Sequence, residues 1–396
     1  MNRHAAYDLK QMQSLPLEAK IRMTKARIKV WYESWTRFEI HNKKTGKTRF
    51  VTMDTRGQFA EPELKDDEFI KTYQDGQVYV SFSGGKDSTV LKHIVDSMYD
   101  DVPAVFVNTG LEYPEIQRFV KDIKSGKYDC FNSNVEIVRP EMRFDEVIKT
   151  YGYPAVSKSV ARTIHYARLN ISHGKESIYT QQLKGEALDR QGRKSLYNKR
   201  KWAFLLDAPF DLHNACCDVM KKRPFHAYQK QTGRKPYIGT LATESMNRQT
   251  QWIKVGCNAF EGEKARSAPL SFWTEQDILH YIKKYDVPYA SVYGDIQVKS
   301  PEGTEEGQIN AIDYLGCYQP EDTLATTLCD RTGCIFCMFG CHLEKEPNRF
   351  QRLKETHPRQ YEYCIGGGEM VDGKWQPNKE GLGLGKVLDY IGVKYD

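Results

Sequence analysis

Apolar residues between positions 17 and 38 recur at steps of three and four: Leu17, Ile21, Ile28, Trp31, Trp35 and Phe38, with Thr24 filling the gap. That spacing predicts one helix with a single apolar stripe. Lys20, Arg22, Lys25, Arg27 and Lys29 fall off the stripe. The helix therefore reads as packed on the body with a solvated basic face, or as a face offered to nucleic acid or a phosphorylated partner. Next, His41 to Arg49 is polar and turn-forming and leads into the β-prone Arg49-Phe50-Val51-Thr52, the pattern of a small hairpin. Glu61 to Glu68 is acidic and reads as a loop or helix start.

From Val78 the pattern changes. Short apolar runs (Val78–Val80, Ala104–Val107, Val135–Val138, Pro236–Ala242) alternate with helical patterns such as Val90, Leu91, Ile94, Val95 and Met98, then Ile116, Phe119, Val120 and Ile123. Strands alternating with helices predict an α/β domain with a doubly wound parallel sheet. Ligands of such sheets bind at the carboxyl ends of strands. Ser157 opens a further helix carrying His165 and Arg168, and Thr274-x-x-Asp277 is a capping box. After Tyr293, glycine, charge and cysteine rise together. The division expected is 1–75, a basic N-terminal helix and insertion; 76–295, the α/β domain; and 296–396, a Cys-rich C-terminal subdomain.

Composition narrows the class. With 40% hydrophobic and 28% charged residues, and no apolar run near the ~20 residues that span a bilayer, the chain reads as soluble. The N-terminal residues Met1-Asn2-Arg3-His4 lack an apolar signal region, which implies a cytoplasmic setting. The net charge of +6 permits an anionic partner without demanding nucleic acid. It is uneven: residues 1–50 hold twelve Lys/Arg against four Asp/Glu, and Arg190, Arg193, Lys194, Lys199, Arg200 and Lys201 crowd a loop at 190–201. That loop is either solvated or faces phosphate or nucleic acid.

The chemistry concentrates at Ser81-Phe-Ser83-Gly84-Gly85-Lys86-Asp87-Ser88, between the first strand and its helix. Two glycines let the backbone turn and approach an anion, and the helix N-terminus aims free N–H groups and its positive dipole end at it. Lys86 adds a charge; Ser83 and Ser88 add hydroxyls. The spacing is not the Walker pattern. Ser-Gly-Gly-Lys-Asp-Ser resembles instead the PP-loop of the N-type ATP pyrophosphatase superfamily.

Further segments in the same order resemble the phosphoadenylylsulfate (PAPS) and adenylylsulfate (APS) reductase family: Asn108-Thr109-Gly110, Cys216-Cys217, Gly239-Thr240-Leu-Ala-Thr-Glu-Ser245 with Arg248, Pro269 to Ile278, and Cys334-x-x-Cys337. Leu241 stands where that family has an arginine. The resemblance covers about residues 76–340. It implies a nucleotide site at Ser81, Ser83, Gly84, Gly85, Lys86, Asp87 and Ser88, extended by Asn108, Thr109, Gly110, Glu112, Gly239, Thr240 and Arg248. Lys86, Asp87 and Lys221 become the catalytic candidates.

The cysteines admit two metal sets. Adjacent Cys216 and Cys217 with Cys334 and Cys337 resemble the [4Fe–4S] ligands of the APS reductase subgroup. A local set, Cys329, Cys334, Cys337 and Cys341 with His342 nearby, has spacing suited to Zn²⁺ or an iron–sulfur cluster and is similar to that of PP-loop proteins of DNA phosphorothioation. Cys130, Cys257 and Cys317 are expected to be buried apolar residues, and Cys364 is a candidate mobile redox thiol.

One departure divides the functional expectation. The reductases carry a C-terminal Glu-Cys-Gly-Leu-His whose thiolate attacks the sulfate sulfur, whereas this chain has no cysteine after Cys364. Either Cys364, Cys329 or Cys341 substitutes and sulfite is released from PAPS or APS, with thioredoxin or glutaredoxin restoring the thiol. Or ATP with Mg²⁺ adenylylates a substrate for sulfur insertion, as in DNA phosphorothioation or nucleic-acid thiolation. A third class is a non-catalytic nucleotide- or nucleic-acid-binding module.

Overall fold

The computed structural model describes residues 4–52, 61–261, 264–299 and 322–396, side chains 72–75 excepted. Cys317 lies outside them. The chain forms two compact units, each assembled from separated stretches: Met1–Val107, Tyr113–Val138 and Phe225–Thr332 in the first, and Asn108–Glu112, Arg139–Pro224 and Gly333–Asp396 in the second. The serial three-part division expected from composition does not follow these boundaries.

The first unit is built on a six-stranded sheet. Its strands are β1 (Val78–Phe82), β2 (Ala104–Val107), β3 (Val135–Val138), β4 (Lys235–Ile238), β5 (Asn258–Ala259) and β6 (Arg266–Ser267), in the order β3-β2-β1-β4-β6-β5. All neighbours run parallel except β5 against β6. Successive strands step outward on one side of β1 and then resume on the other with β4. The switch point therefore lies between the carboxyl ends of β1 and β4, where such sheets bind ligands.

Alternation along β1 accounts for the two covered faces. Val78, Val80 and Phe82 join the main core with Val90, Ile94, Ile116 and Val120, while Tyr79 points the other way onto Val105, Phe225 and Tyr228.

The N-terminal stripe forms the helix Leu17–Ser34, with Ile21, Thr24, Ile28 and Trp31 buried. Two details differ from the expectation. Trp35 ends the helix and Phe38 belongs to the following strand, Thr36–Asn42, which pairs with Thr48–Thr52 and with Glu68–Gly76. Lys20 is not on the solvated face: it is buried and paired with Asp277 at 2.7 Å. That carboxylate also closes the Thr274 capping box. The helix is thus tied to the start of the helix Glu275–Tyr285, and Trp273, just before it, donates to Thr24 Oγ1 at 2.9 Å.

The second unit pairs Ala155–Val156 with Met338–Phe339 in parallel. Around this short ladder lie the helices Lys158–Ser172, Ile178–Lys184, Arg349–Thr356, Pro358–Ile365 and Leu384–Tyr390. Arg168 ties the middle together: its guanidinium donates to the carbonyls of Leu205, Leu206, Ala208 and Phe210 at 2.7–3.1 Å. No helix among the described residues is long and apolar enough to cross a membrane.

Candidate functional site

In the first unit, β1 delivers the chain into Ser83-Gly84-Gly85, and the helix Lys86–Asp96 begins at once. Gly84 has φ +73°, and a Cβ there would stand 2.7 Å from Ile116 Cγ2, so glycine is required on both counts. Ser83 and Ser88 close the loop, their hydroxyls 2.9 Å apart, with Ser88 Oγ also donating to Gly85 O at 3.0 Å. Gly239, at the end of β4, packs so closely that a Cβ would lie 3.0 Å from Ser88 Cα. The chain leaving β4 is therefore in direct contact with the first turn of the cradle helix.

Side chains from later in the chain converge on it. Lys86 is buried, with its ammonium 3.4 Å from Glu275 and over the Tyr293 ring at 5.0 Å. Tyr293 Oη accepts from the Lys86 N–H at 3.3 Å and bonds Thr332 Oγ1 at 2.6 Å. Burial pushes the Asp87 carboxyl up to about 6, with Glu244 and Glu275 adding to the shift and Lys86 and Arg331 opposing it. Arg248, expected at the nucleotide, is paired with Glu244. Thr240 and Arg248 line a cavity of about 180 Å³ floored by Leu241 and Trp252.

The second unit gathers the cysteines. Cys216 and Cys217 end at a wide π turn, Asp218–Lys222, which carries Lys221. Cys334 to Cys337 forms a tight turn closed by Cys337 N–H on Cys334 O at 3.1 Å. The turn is held from three sides. Ile335 N–H bonds Leu111 O at 2.8 Å, Arg349 Nη1 donates to Cys337 O at 2.9 Å, and Met338 pairs with Ala155. Val156, next to that pair, has φ +63°, a strained conformation for a β-branched residue.

Cys216, Cys217, Cys334 and Cys337 lie within electrostatic range of one another, and Lys221 hydrogen-bonds Cys334. Burial raises the Cys334 thiol to about 11, while Lys221 pulls it down. Burial alone would lower the Lys221 ammonium; Cys334 and Glu112 outweigh it and carry it above its ordinary value.

Asn108–Glu112, expected at the nucleotide, belongs to this second unit. Thr109 donates through Oγ1 and N–H to Glu112 at 2.6 and 3.0 Å, holding a buried carboxylate that faces Lys221. Nothing in the spacing of Glu112 signalled that neighbourhood; it arises from the path of the chain after β2.

The remaining cysteines sort by packing. Cys257 is buried as expected, but Cys130 is exposed. Cys364 is fully buried inside its helix, so it is not a mobile thiol. Cys341 is buried and donates to Met338 O at 3.0 Å; Cys329, in the first unit, donates to Arg331 O at 3.0 Å. Among the described residues no three His, Cys, Asp or Glu side chains converge as single-ion ligands would.

The model of the phosphoadenosine phosphosulfate reductase domain matches residues 77–338. Two uncharacterised proteins of Methanocaldococcus jannaschii are similar over short stretches. One is 35% identical over 98 residues, 23% of this chain and 23% of the relative; the other is 38% identical over 92 residues, 22% and 18%. The matched stretch thus spans less than a quarter of either relative. A crystal structure of PAPS reductase from Candida auris in complex with phosphate aligns at a TM-score of 0.30 and 14% identity, covering 54% of this chain and 75% of that one. The family match spans both the cradle and the Cys334 turn, and the chain belongs to the phosphoadenosine phosphosulfate reductase domain family.

Proposed function

We propose that the chain binds an adenine nucleotide or sulfonucleotide at the Ser83–Ser88 cradle and carries out sulfur chemistry that depends on Cys216, Cys217, Cys334 and Cys337. The observation that carries this reading is that Cys216, Cys217, Cys334 and Cys337, from two stretches far apart in the chain, lie within electrostatic range of one half-buried ammonium, Lys221. In the cradle, the amides at the head of the Lys86–Asp96 helix and the Lys86 ammonium would hold phosphate or sulfate oxygens and stabilise charge that develops there.

The donor set suits an iron–sulfur cluster better than a single ion. A cluster takes one thiolate per iron and so spreads its ligands, whereas zinc needs them at one point. Cys216, Cys217, Cys334 and Cys337 would hold it, with Lys221 offsetting the thiolate charge. When bound, a [4Fe–4S] cluster supplies polarizable charge and redox capacity to the group.

In the leading reading the substrate is PAPS or APS. A cysteine thiolate attacks the sulfate sulfur; the S–O bond to the nucleotide phosphate breaks and its electron pair leaves with the nucleotide. A second thiol, from thioredoxin or glutaredoxin, then attacks the cysteine sulfur. Sulfite departs, and two thiols have been oxidised to one disulfide. Of the three substitutes for the family's tail cysteine, Cys329 alone is partly exposed. The burial of Cys341 and Cys364 favours a second reading, in which ATP with Mg²⁺ adenylylates an acceptor and releases pyrophosphate. Product analysis with ATP, APS and PAPS in turn separates the two: sulfite marks the first, pyrophosphate the second. Lys86→Ala should reduce nucleotide affinity by ten- to a hundredfold, the loss of a charged hydrogen bond, and unchanged turnover would refute the cradle as the site.

A further inference from the structure

The second unit carries a charge concentration that neither the cradle nor the thiol group uses. Residues 158–206 hold eleven Lys/Arg and three Asp/Glu, a net +8 against +6 for the whole chain. Lys184 and Arg193 are paired with Glu176 and Asp189, and Arg168 is spent on carbonyls. Lys175, Arg190, Lys194, Arg200 and Lys201 are exposed and have no carboxylate partner among the described residues.

The same stretch exposes large apolar side chains. Leu196 is fully exposed, Tyr197 is 70% and Phe204 43% exposed, and Lys201 lies over the Trp202 ring at 4.8 Å. These residues do not stand on a loose loop. Asn198 donates to the carbonyls of Gly185 and Ala187, Lys199 N–H bonds Gln182 O at 2.7 Å, and Leu188 bridges to Lys194. A groove of about 640 Å³ is lined by Leu183, Ala203 and Leu206 together with Lys175, Arg200 and the paired Lys184 and Glu176.

Exposed cations without a carboxylate partner, exposed aromatics between them in the sequence and a partly apolar groove with Lys175 and Arg200 in its lining match one ligand chemistry. Phosphodiesters need the charge, and unstacked bases need the flat apolar surfaces. A duplex would leave the aromatics and the groove unused, because its bases are already stacked. We infer that the surface formed by residues 175–204 of the second unit binds a single-stranded polynucleotide, with phosphates along Lys194, Arg200 and Lys201 and bases on Tyr197 and in the groove. This holds whichever nucleotide the cradle takes.

The test is fluorescence anisotropy of the full chain with fluorescein-labelled (dT)12. Affinity should fall with salt with a log–log slope of about −0.7 per phosphate contacted. Lys194→Glu with Arg200→Glu should weaken binding at least tenfold and flatten that slope. Tyr197→Ala should weaken it about tenfold and leave the slope unchanged, the signature of stacking. Equal affinity for a 12-base-pair duplex, full displacement by AMP alone, or an unaffected Tyr197→Ala variant would each overturn the inference. So would a loss confined to Lys25→Glu with Lys29→Glu on the N-terminal helix. Photocrosslinking of 4-thiothymidine-substituted (dT)12 to the unaltered chain must map to residues 175–204, and crosslinks elsewhere count against it.

Discussion

The hydroxyl of Tyr293 accepts a hydrogen bond from the backbone N–H of Lys86 at 3.3 Å, at the head of the phosphate-type loop. That amide is one of the free donors a helix N-terminus offers an anion. An incoming phosphate or sulfate must therefore take the donor from a neutral phenol, an exchange worth about 1 kcal/mol. Tyr293→Phe keeps the ring under Lys86 and frees the amide. Nucleotide affinity measured by calorimetry should rise about fivefold; a fall would mean that the hydroxyl itself contacts the anion.

Asp87 gives the cradle a pH dependence. Its carboxyl titrates near 6 in the folded chain, above the ordinary 3.8, because burial and the Glu244 and Glu275 carboxylates penalise its charge. The folded state therefore holds the proton more tightly than the unfolded one. The stability this confers is full below about pH 3.8 and is lost as pH rises through about 6. Asp87→Asn should raise the melting temperature at pH 7 and flatten its decline between those values. Phosphate binding to the unaltered chain should weaken across the same interval as Asp87 ionises beside the loop.

Much of the first unit was legible because local chemistry decided it. The β1–loop–helix unit, the strands at 104–107 and 135–138 and the Thr274 cap each rest on residues within a few positions of one another. What escaped depends on distant partners. Lys20 looked like a surface lysine because Asp277 is far along the chain, and the strand Glu68–Gly76 was hidden by an acidic approach. The electrostatic coupling of Glu112 to Lys221 escaped as well, because that neighbourhood is a property of the fold. Cys130 and Cys364 were misread for the same reason, since burial belongs to tertiary structure and not to residue type.

Lys221 is expected to control the reactivity of Cys334. Burial lifts that thiol to about 11, and the Lys221 ammonium hydrogen-bonded to it favours the thiolate and opposes that rise. Lys221→Ala removes the cation, so the thiolate fraction should drop about tenfold per unit of further rise. Alkylation of Cys334 by iodoacetamide, followed by mass spectrometry on metal-free protein at pH 8, should slow by at least that factor. Lys221→Arg should restore most of the rate. An unchanged rate in Lys221→Ala would separate the lysine from the thiol group.

An anaerobic preparation tests the thiol set as a whole. The four sulfurs come from two turns, and each turn is closed by its own backbone bonds, so loss of one thiol should not unfold the unit. The unaltered chain should hold about four irons with a broad absorbance in the visible range. Cys216→Ser and Cys334→Ser should each abolish that absorbance, whereas Cys329→Ser and Cys341→Ser should leave it. Loss in the second pair and retention in the first would select the local set instead. Stoichiometric zinc in a colourless protein would exclude the cluster.

Arg168 offers a stability test that bypasses the chemistry. One guanidinium caps four carbonyls at 205–210, and the Leu205 carbonyl also accepts from the Ala208 N–H at 3.4 Å. Replacing it with alanine takes a charged donor from all four acceptors, at a cost of about 3 kcal/mol for the group. Lysine supplies charge without the planar fork and should recover less than half of that. Because the segment 200–207 feeds the Cys216 turn through residues 208–215, limited proteolysis of Arg168→Ala should cut first between 196 and 210. Its melting temperature should fall, while phosphate binding at the first unit's cradle stays at the unaltered level.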